Sequence, residues 1–268
     1  MTRHGKPVHN LLSPVLSNSE ILPSMYLLWL DAPGIASSAR PGQFAMIRCD
    51  DGAKRLLRRP MTVHTVEGSR IAFFYRAVGE GTRWLSRRRQ GDTLGVLGPL
   101  GNGFNIGQKS RHLLLVAGGM GLAPLRFLAE TAIEEGRCVT LLAGAKTASA
   151  LYPADLLPDK ASYVPATEDG SLGETGLVTD LVPRHAAGVG QAFACGPEAM
   201  YRTLARERAS RPPGLKVQLS LEVRMGCGVG ACLSCTIETR SGPRHVCTDG
   251  PVFDLDEVKW GSAPVCAL

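Results

Sequence analysis

Between residues 8 and 105, short apolar stretches alternate with turns carrying Gly or Pro, a spacing that predicts strands. The predicted strands are Ser24–Leu30, Phe44–Arg48, Met61–Glu67, Arg70–Ala77 and Thr93–Leu97, punctuated by Pro33-Gly34, Pro41-Gly42, Glu67-Gly68 and Gly98-Pro99. Strands this short and this regularly spaced predict a closed antiparallel barrel. One helix interrupts them, from Thr82 to about Arg89, opening just after Gly81.

At Arg111 the period changes. His112–Ala117, Val139–Ala143 and Gln191–Ala194 are continuous apolar runs, and Leu125–Glu135 and Glu198–Ala209 have helical spacing. Apolar runs fed by helices predict a doubly wound parallel sheet covered on both faces. Glu198 opens its helix directly after Gly196-Pro197, where proline suits a first turn. Pro212-Pro213-Gly214 reads as a boundary. The expected fold class is therefore multidomain, β plus α/β: an antiparallel barrel over 1–107, a doubly wound nucleotide-type domain over 108–214, and a small carboxy-terminal module over 215–268.

A chain of 268 residues has room for two domains and a small third. Hydrophobic content of 44% with 20% charged residues is that of a globular chain and excludes the disordered class. The amino terminus lacks the apolar core of a signal peptide, and no later run approaches membrane-spanning length, so a cytoplasmic chain is expected. The net charge of +6, with Arg55, Arg58, Arg59, Arg83, Arg87, Arg88 and Arg89 close together, raises nucleic acid as a partner. Aromatic content is only 6% and no nucleic-acid motif accompanies the arginines. Phosphate contacts to a cofactor, an acidic partner or solvated faces account for them more simply, and no nucleic acid is expected.

The strongest chemical signal lies in Met225–Cys235, where Cys227, Cys232 and Cys235 stand at C-x4-C-x2-C spacing and Cys247 follows after eleven residues. This is the plant-type ligand pattern of a 2Fe-2S cluster. Gly226, Gly228 and Gly230 suit a loop that must bring backbone N–H groups close to sulfide. The alternative is a four-cysteine zinc site, which usually pairs two short knuckles, and only one is present here. His245 near Cys247 is read as a bystander, since a Rieske centre needs two histidines. Cys49, Cys138, Cys195 and Cys266 are scattered and read as reduced thiols.

Two further motifs point to nucleotides. Leu57-Arg-Arg-Pro-Met-Thr62 is followed by Phe74-Tyr-Arg-Ala-Val-Gly-Glu-Gly-Thr82. An arginine on a barrel strand and the free N–H groups at Gly81-Thr82 would both meet a flavin pyrophosphate. Alternation along Phe74, Tyr75 and Arg76 would let one face line the cofactor while the other enters the core. The plainer reading is a salt-bridged strand and an ordinary turn. Val116-Ala-Gly-Gly-Met-Gly-Leu-Ala-Pro124 lies between a predicted strand and helix, the context of a dinucleotide phosphate loop, with Gly118, Gly119 and Gly121 as its glycines. Ala194-Cys-Gly-Pro-Glu198 ends a later strand, where ligands collect in parallel sheets, so Cys195 and Gly196 are candidates beside a nicotinamide; a buried inert thiol is the alternative for Cys195.

With these pieces in order the chain resembles the ferredoxin reductase superfamily, and its cysteine-rich tail narrows the resemblance to the electron-transfer subunits of type B dihydroorotate dehydrogenases. Gly98-Pro-Leu-Gly-Asn-Gly-Phe104, Thr167-Glu-Asp-Gly-Ser-Leu-Gly173, Ser220-Leu-Glu-Val-Arg-Met225 and Cys247-Thr-Asp-Gly-Pro-Val-Phe253 carry it over nearly the full length. The resemblance implies FAD held by Arg59, Pro60, Met61, Thr62, Phe74, Tyr75, Arg76, Gly81 and Thr82, and a 2Fe-2S cluster held by Cys227, Cys232, Cys235 and Cys247. Met61 stands where the broader superfamily often has a tyrosine against the flavin. It also implies an FMN-containing catalytic partner that oxidises dihydroorotate in pyrimidine biosynthesis, two copies of each subunit, and no acid or base on this chain. The alternative is a flavin and iron-sulfur subunit of another complex, of the ferredoxin:NADP oxidoreductase or hydrogenase diaphorase type. Lys146 leaves NADP open beside the NAD that the resemblance implies.

Overall fold

The computed structural model describes residues 2–3, 6–50, 52, 56–210, 212, 214–261 and 265; Arg55, Pro213 and Cys266 lie outside them. Seven strands of the amino-terminal half pair antiparallel in the order Arg59–Thr62, Phe44–Ile47, Thr93–Leu100, His9–Leu22, Met25–Asp31, Arg70–Arg76, Thr65–Glu67. The two edge strands are consecutive in sequence. Val63 and His64 join them, donating their amides to the carbonyls of Gln43 on one side and Ala72 on the other. The sheet thus closes on itself around Leu28, Ile47, Val63, Phe73 and Leu94.

The long strand His9–Leu22 is absent from the sequence expectation. Its first half, His9 to Pro14, pairs with Thr93–Leu100, and its second half with Met25–Asp31 through two register shifts. The face turned to the core changes along its length, so no single alternation marks it. The barrel's helix spans Glu80–Ser86, slightly earlier than expected.

A second sheet has the order Glu174–Thr175, Ser162–Thr167, Cys138–Ala145, His112–Gly118, Gln191–Cys195, Val217–Ser220, Val252–Asp254. All neighbours are parallel except the last pair. Strand His112–Gly118 sends Leu113, Leu115 and Ala117 to one face, where helix Leu122–Glu134 covers them. Leu114 and Val116 point to the other, under helices Val178–His185 and Glu198–Arg206. The strand Val217–Ser220 follows the expected boundary at 214 yet completes the parallel run, and Leu215 donates its amide to Pro212 O at 3.1 Å just ahead of it.

The carboxy-terminal segment carries the cysteine loop, the hairpin Thr236–Thr239 with Gly242–His245, and the short helix Val246–Asp249 before returning to the sheet through Val252–Asp254. One buried cluster unites Phe44, Met46 and Leu100 of the barrel, Val217 and Leu219 of the sheet, and Cys235, Val246 and Cys247 of this segment. No helix among the described residues is long and apolar enough to cross a membrane.

Candidate functional site

The cysteine loop is built by backbone that only glycine adopts cheaply. Gly228 and Gly230 have φ of +72° and +75°. These reversals turn amides inward: Val229, Ala231 and Cys232 all donate N–H groups to Cys227 Sγ, at 3.4, 3.2 and 3.4 Å. The Cys247 amide donates to Cys235 Sγ at 3.4 Å. Cys235 and Cys247 are buried, Cys227 half-buried and Cys232 exposed. Ser234, through its hydroxyl and its backbone, pulls the Cys232 thiol down to about 6, with Cys227 acting in the same direction. Loss of solvent pushes Cys247 up to about 12, and neighbouring Cys235 adds to it.

The four thiols therefore stand as two neighbouring pairs, Cys227 with Cys232 and Cys235 with Cys247. Among the described residues no group of three His, Cys, Asp or Glu side chains is gathered around a single point. A two-iron core takes its thiolates in pairs and gains from N–H groups aimed at sulfur, so this donor set suits a 2Fe-2S cluster. His245 is turned away, its Nδ1 sharing a 3.0 Å hydrogen bond with Thr236 Oγ1.

The loop is seated on the barrel. Gly228 packs against Met46 and Leu100. Asn102, following the barrel's last strand, donates its amide to Gly250 O at 2.6 Å and its side-chain Nδ2 to the carbonyls of Thr248 and Asp249. That clamp holds the helix bearing Cys247 against the barrel.

On the barrel, Arg59 and Gly81 meet although 22 positions separate them in sequence. A Cβ on Gly81 would lie 3.0 Å from Arg59 Nε. Thr82 Oγ1 accepts the amides of Val78 and Gly79 and so fixes the turn that presents Gly81. Pro60 and Thr62 are half-buried on the same strand, while Met61 enters the barrel core. Strand Arg70–Arg76 is buried on both faces. Tyr75 points into the barrel, stacks on Tyr26 at 5.6 Å and donates to Asn18 Oδ1, and burial raises its phenol above the usual range. Phe74 points the other way, against the nucleotide-type domain, and only Arg76 of the three is exposed. Of the clustered arginines, Arg88 covers Trp84 at 4.1 Å and pairs with Asp92.

The two glycine motifs of the second domain come together at the ends of adjacent parallel strands, Ala117 opposite Cys195. Gly118 packs against Pro197, Met200 and Gly196, and a Cβ on Gly121 would collide with the Cys195 carbonyl. Gly119 has φ +53° with open space around it. Cys195 is fully buried, its Sγ 3.6 Å from Ser220 O and 4.0 Å from Glu222 Oε1.

Sequence reasoning missed two residues here. Glu222 is half-buried beside Cys195, and loss of solvent raises its carboxyl above the ordinary value. His64 is 1% exposed and bridges the barrel to the second domain. A glutamate between Leu221 and Val223 was the available signal for the first; His64 offers none.

Residues 222–259 match the iron-sulfur cluster binding domain of dihydroorotate dehydrogenase B. The chain is 38% identical over 256 residues to the dihydroorotate dehydrogenase B (NAD(+)) electron transfer subunit of Desulforamulus reducens, covering 92% of this chain and 97% of that one. The corresponding subunit of Shouchella clausii is 35% identical, over 91% of this chain and 96% of its own. Among solved structures, an NADH-dependent reduced ferredoxin-NADP oxidoreductase superposes with a TM-score of 0.83 at 30% identity, over 93% of this chain and 90% of that one. A ferredoxin NADP+ reductase from Neisseria gonorrhoeae shares the fold, with a TM-score of 0.61 at 19% identity over 72% of this chain and 88% of that one.

Proposed function

The chain belongs to the family of dihydroorotate dehydrogenase B electron transfer subunits, and from that membership we propose that it carries electrons between NAD+ and an FMN-containing dihydroorotate dehydrogenase subunit in pyrimidine biosynthesis. Family membership favours this over a reductase subunit of another complex. The observation that carries it is the paired-cysteine loop resting on a barrel whose Arg59 stands over Gly81.

Each region of the chain has a distinct task. Arg59 brings positive charge, and Gly81 room, to the place where an FAD pyrophosphate would lie; Pro60, Thr62, Arg76 and Thr82 would surround that place, and Met61 supports the strand from the barrel core. Tyr75 anchors that strand from within the barrel, and Phe74 anchors it from outside, against the second domain. Gly119 leaves open backbone for the phosphates of NAD, while Gly118, Gly121 and Gly196 let the two strand ends close on each other over the buried Cys195, which sets the floor of the nicotinamide place. Cys227, Cys232, Cys235 and Cys247 hold the 2Fe-2S cluster. A bound flavin supplies exchange between the hydride pair of the nicotinamide and the single electrons of the cluster. This chain contributes no acid or base to dihydroorotate oxidation, which belongs to the partner, and two copies of each subunit make the complex.

Purified anaerobically, the chain should contain iron, sulfide and FAD, and oxidise NADH with an artificial acceptor. Dihydroorotate oxidation should appear only when the FMN subunit is added. Dihydroorotate oxidation by this chain alone would overturn the division of labour.

A further inference from the structure

His64 follows the flavin-motif strand Arg59–Thr62 by two residues, and Ala123 follows Gly121 of the phosphate loop by two. The structure brings these positions together: His64 Nδ1 lies 2.9 Å from Ala123 O, and Nε2 lies 2.8 Å from the Tyr152 hydroxyl. A carbonyl only accepts, so Nδ1 carries the proton; Nε2 is then bare and accepts from Tyr152. The bonding fixes one neutral tautomer. The imidazole also packs against the Phe74 and Tyr152 rings, each at 5.5 Å, and those two rings meet edge to face at 5.1 Å. Beside it, Thr65 donates to the Glu130 carboxylate, which pairs with Arg126 at 3.1 Å. The barrel supplies His64, Thr65 and Phe74; the second domain supplies Ala123, Arg126, Glu130 and Tyr152.

We infer that His64 is a positioning residue for hydride exchange, clasping the end of the flavin-motif strand to the first turn of the phosphate-loop helix and so fixing how flavin and nicotinamide face each other. The inference rests on the proposed function. The transfer it positions moves one hydride from NADH to oxidised flavin, leaving NAD+, and a solvent proton completes the flavin's reduction. His64 touches neither reactant. It acts through the two backbone segments it joins, and small misplacements of reacting atoms are costly in rate.

The test compares wild type with His64→Leu, His64→Asn and Tyr152→Phe in the full chain. Asparagine keeps a donor near the Nδ1 position and so keeps the bond to Ala123; phenylalanine removes only the hydroxyl. Two readouts are taken: amide hydrogen exchange over residues 122–126 without nucleotide, and stopped-flow bleaching of bound flavin by NADH. His64→Leu should exchange faster there and bleach at least about tenfold more slowly, with FAD content and NADH affinity close to wild type. His64→Asn should recover most of the loss. Should His64→Leu fail to fold, Tyr152→Phe must show the same two changes in smaller measure. Unchanged exchange and bleaching overturn the inference, as does a rate that falls only in step with lost FAD. A wild-type chain whose flavin NADH does not bleach overturns the proposed function itself, a distinguishable result.

Discussion

Gly228 of the cysteine loop lies so close to Met46 of the barrel that a Cβ on the glycine would stand 2.6 Å from the methionine Cγ. Met46 is buried at 1% exposure and has nowhere to retreat. At φ +72° the glycine also occupies a conformation that costs other residues about 1–2 kcal/mol. Gly228→Ala should therefore lift the loop from the barrel and give substoichiometric iron and acid-labile sulfide, with FAD retained. A full complement of both in the variant would contradict this.

Arg59 over Gly81 makes a second, separable prediction. Loss of a charged hydrogen-bonding partner costs about 1.5–3 kcal/mol, or about 10- to 150-fold in affinity. Arg59→Ala should weaken FAD binding by that factor in a fluorescence titration of the apoprotein, and leave the iron content alone. Arg59→Lys restores charge without the planar fork and should recover only a fraction of the loss. Equal FAD affinity in all three proteins would remove Arg59 from the flavin site.

Much of this layout was legible in the sequence where function is carried by local spacing. The cysteine loop declares itself because three of its four ligands and its turn glycines lie within Gly226–Cys235, and the parallel strands because burial on both faces makes Leu113–Ala117 wholly apolar. Ser162–Thr167 was hidden by Pro165, which argues against an interior strand. The dual burial of Phe74 and Tyr75 could not be read from alternation, since the strand's outer face is covered by another domain. His64 was invisible for a related reason, and Glu222 showed only as a lone carboxylate between apolar neighbours. Their significance comes from partners 59, 88 and 27 positions away in sequence, and no local pattern records such pairings.

The glycines of the phosphate loop should separate by mechanism. At Gly121 a Cβ would collide with the backbone of Cys195, so Gly121→Ala must force the loop away from the end of the neighbouring strand. Overpacking of this kind costs about 3 kcal/mol, read as a lower denaturation midpoint. Gly119 has open space and only its φ of +53° to defend, so Gly119→Ala should cost about 1–2 kcal/mol. If Gly119→Ala were the more damaging to stability, the backbone contact with Cys195 would not be what Gly121 protects.

His64 also sets an acid limit on stability. Burial holds its imidazole down to about 3 from an ordinary 6.5, with the positive charge of Arg126 adding to the effect against the Ala123 hydrogen bond. The groups facing it are the neutral Tyr152 phenol, which burial raises to about 12, and the Arg126–Glu130 pair with Thr65. Because the folded value lies below the unfolded one, the unfolded chain binds the extra proton. The contribution is whole above pH 6.5 and falls away as pH drops toward 3, by about 1.4 kcal/mol per unit. His64→Asn keeps the clasp to Ala123 without a titrating ring. Its unfolding free energy should accordingly decline less steeply than wild type between about pH 6.5 and 4, with the two slopes converging above about pH 7. Parallel slopes throughout would mean that the ring takes up its proton in the folded chain, and the clasp as described would not exist.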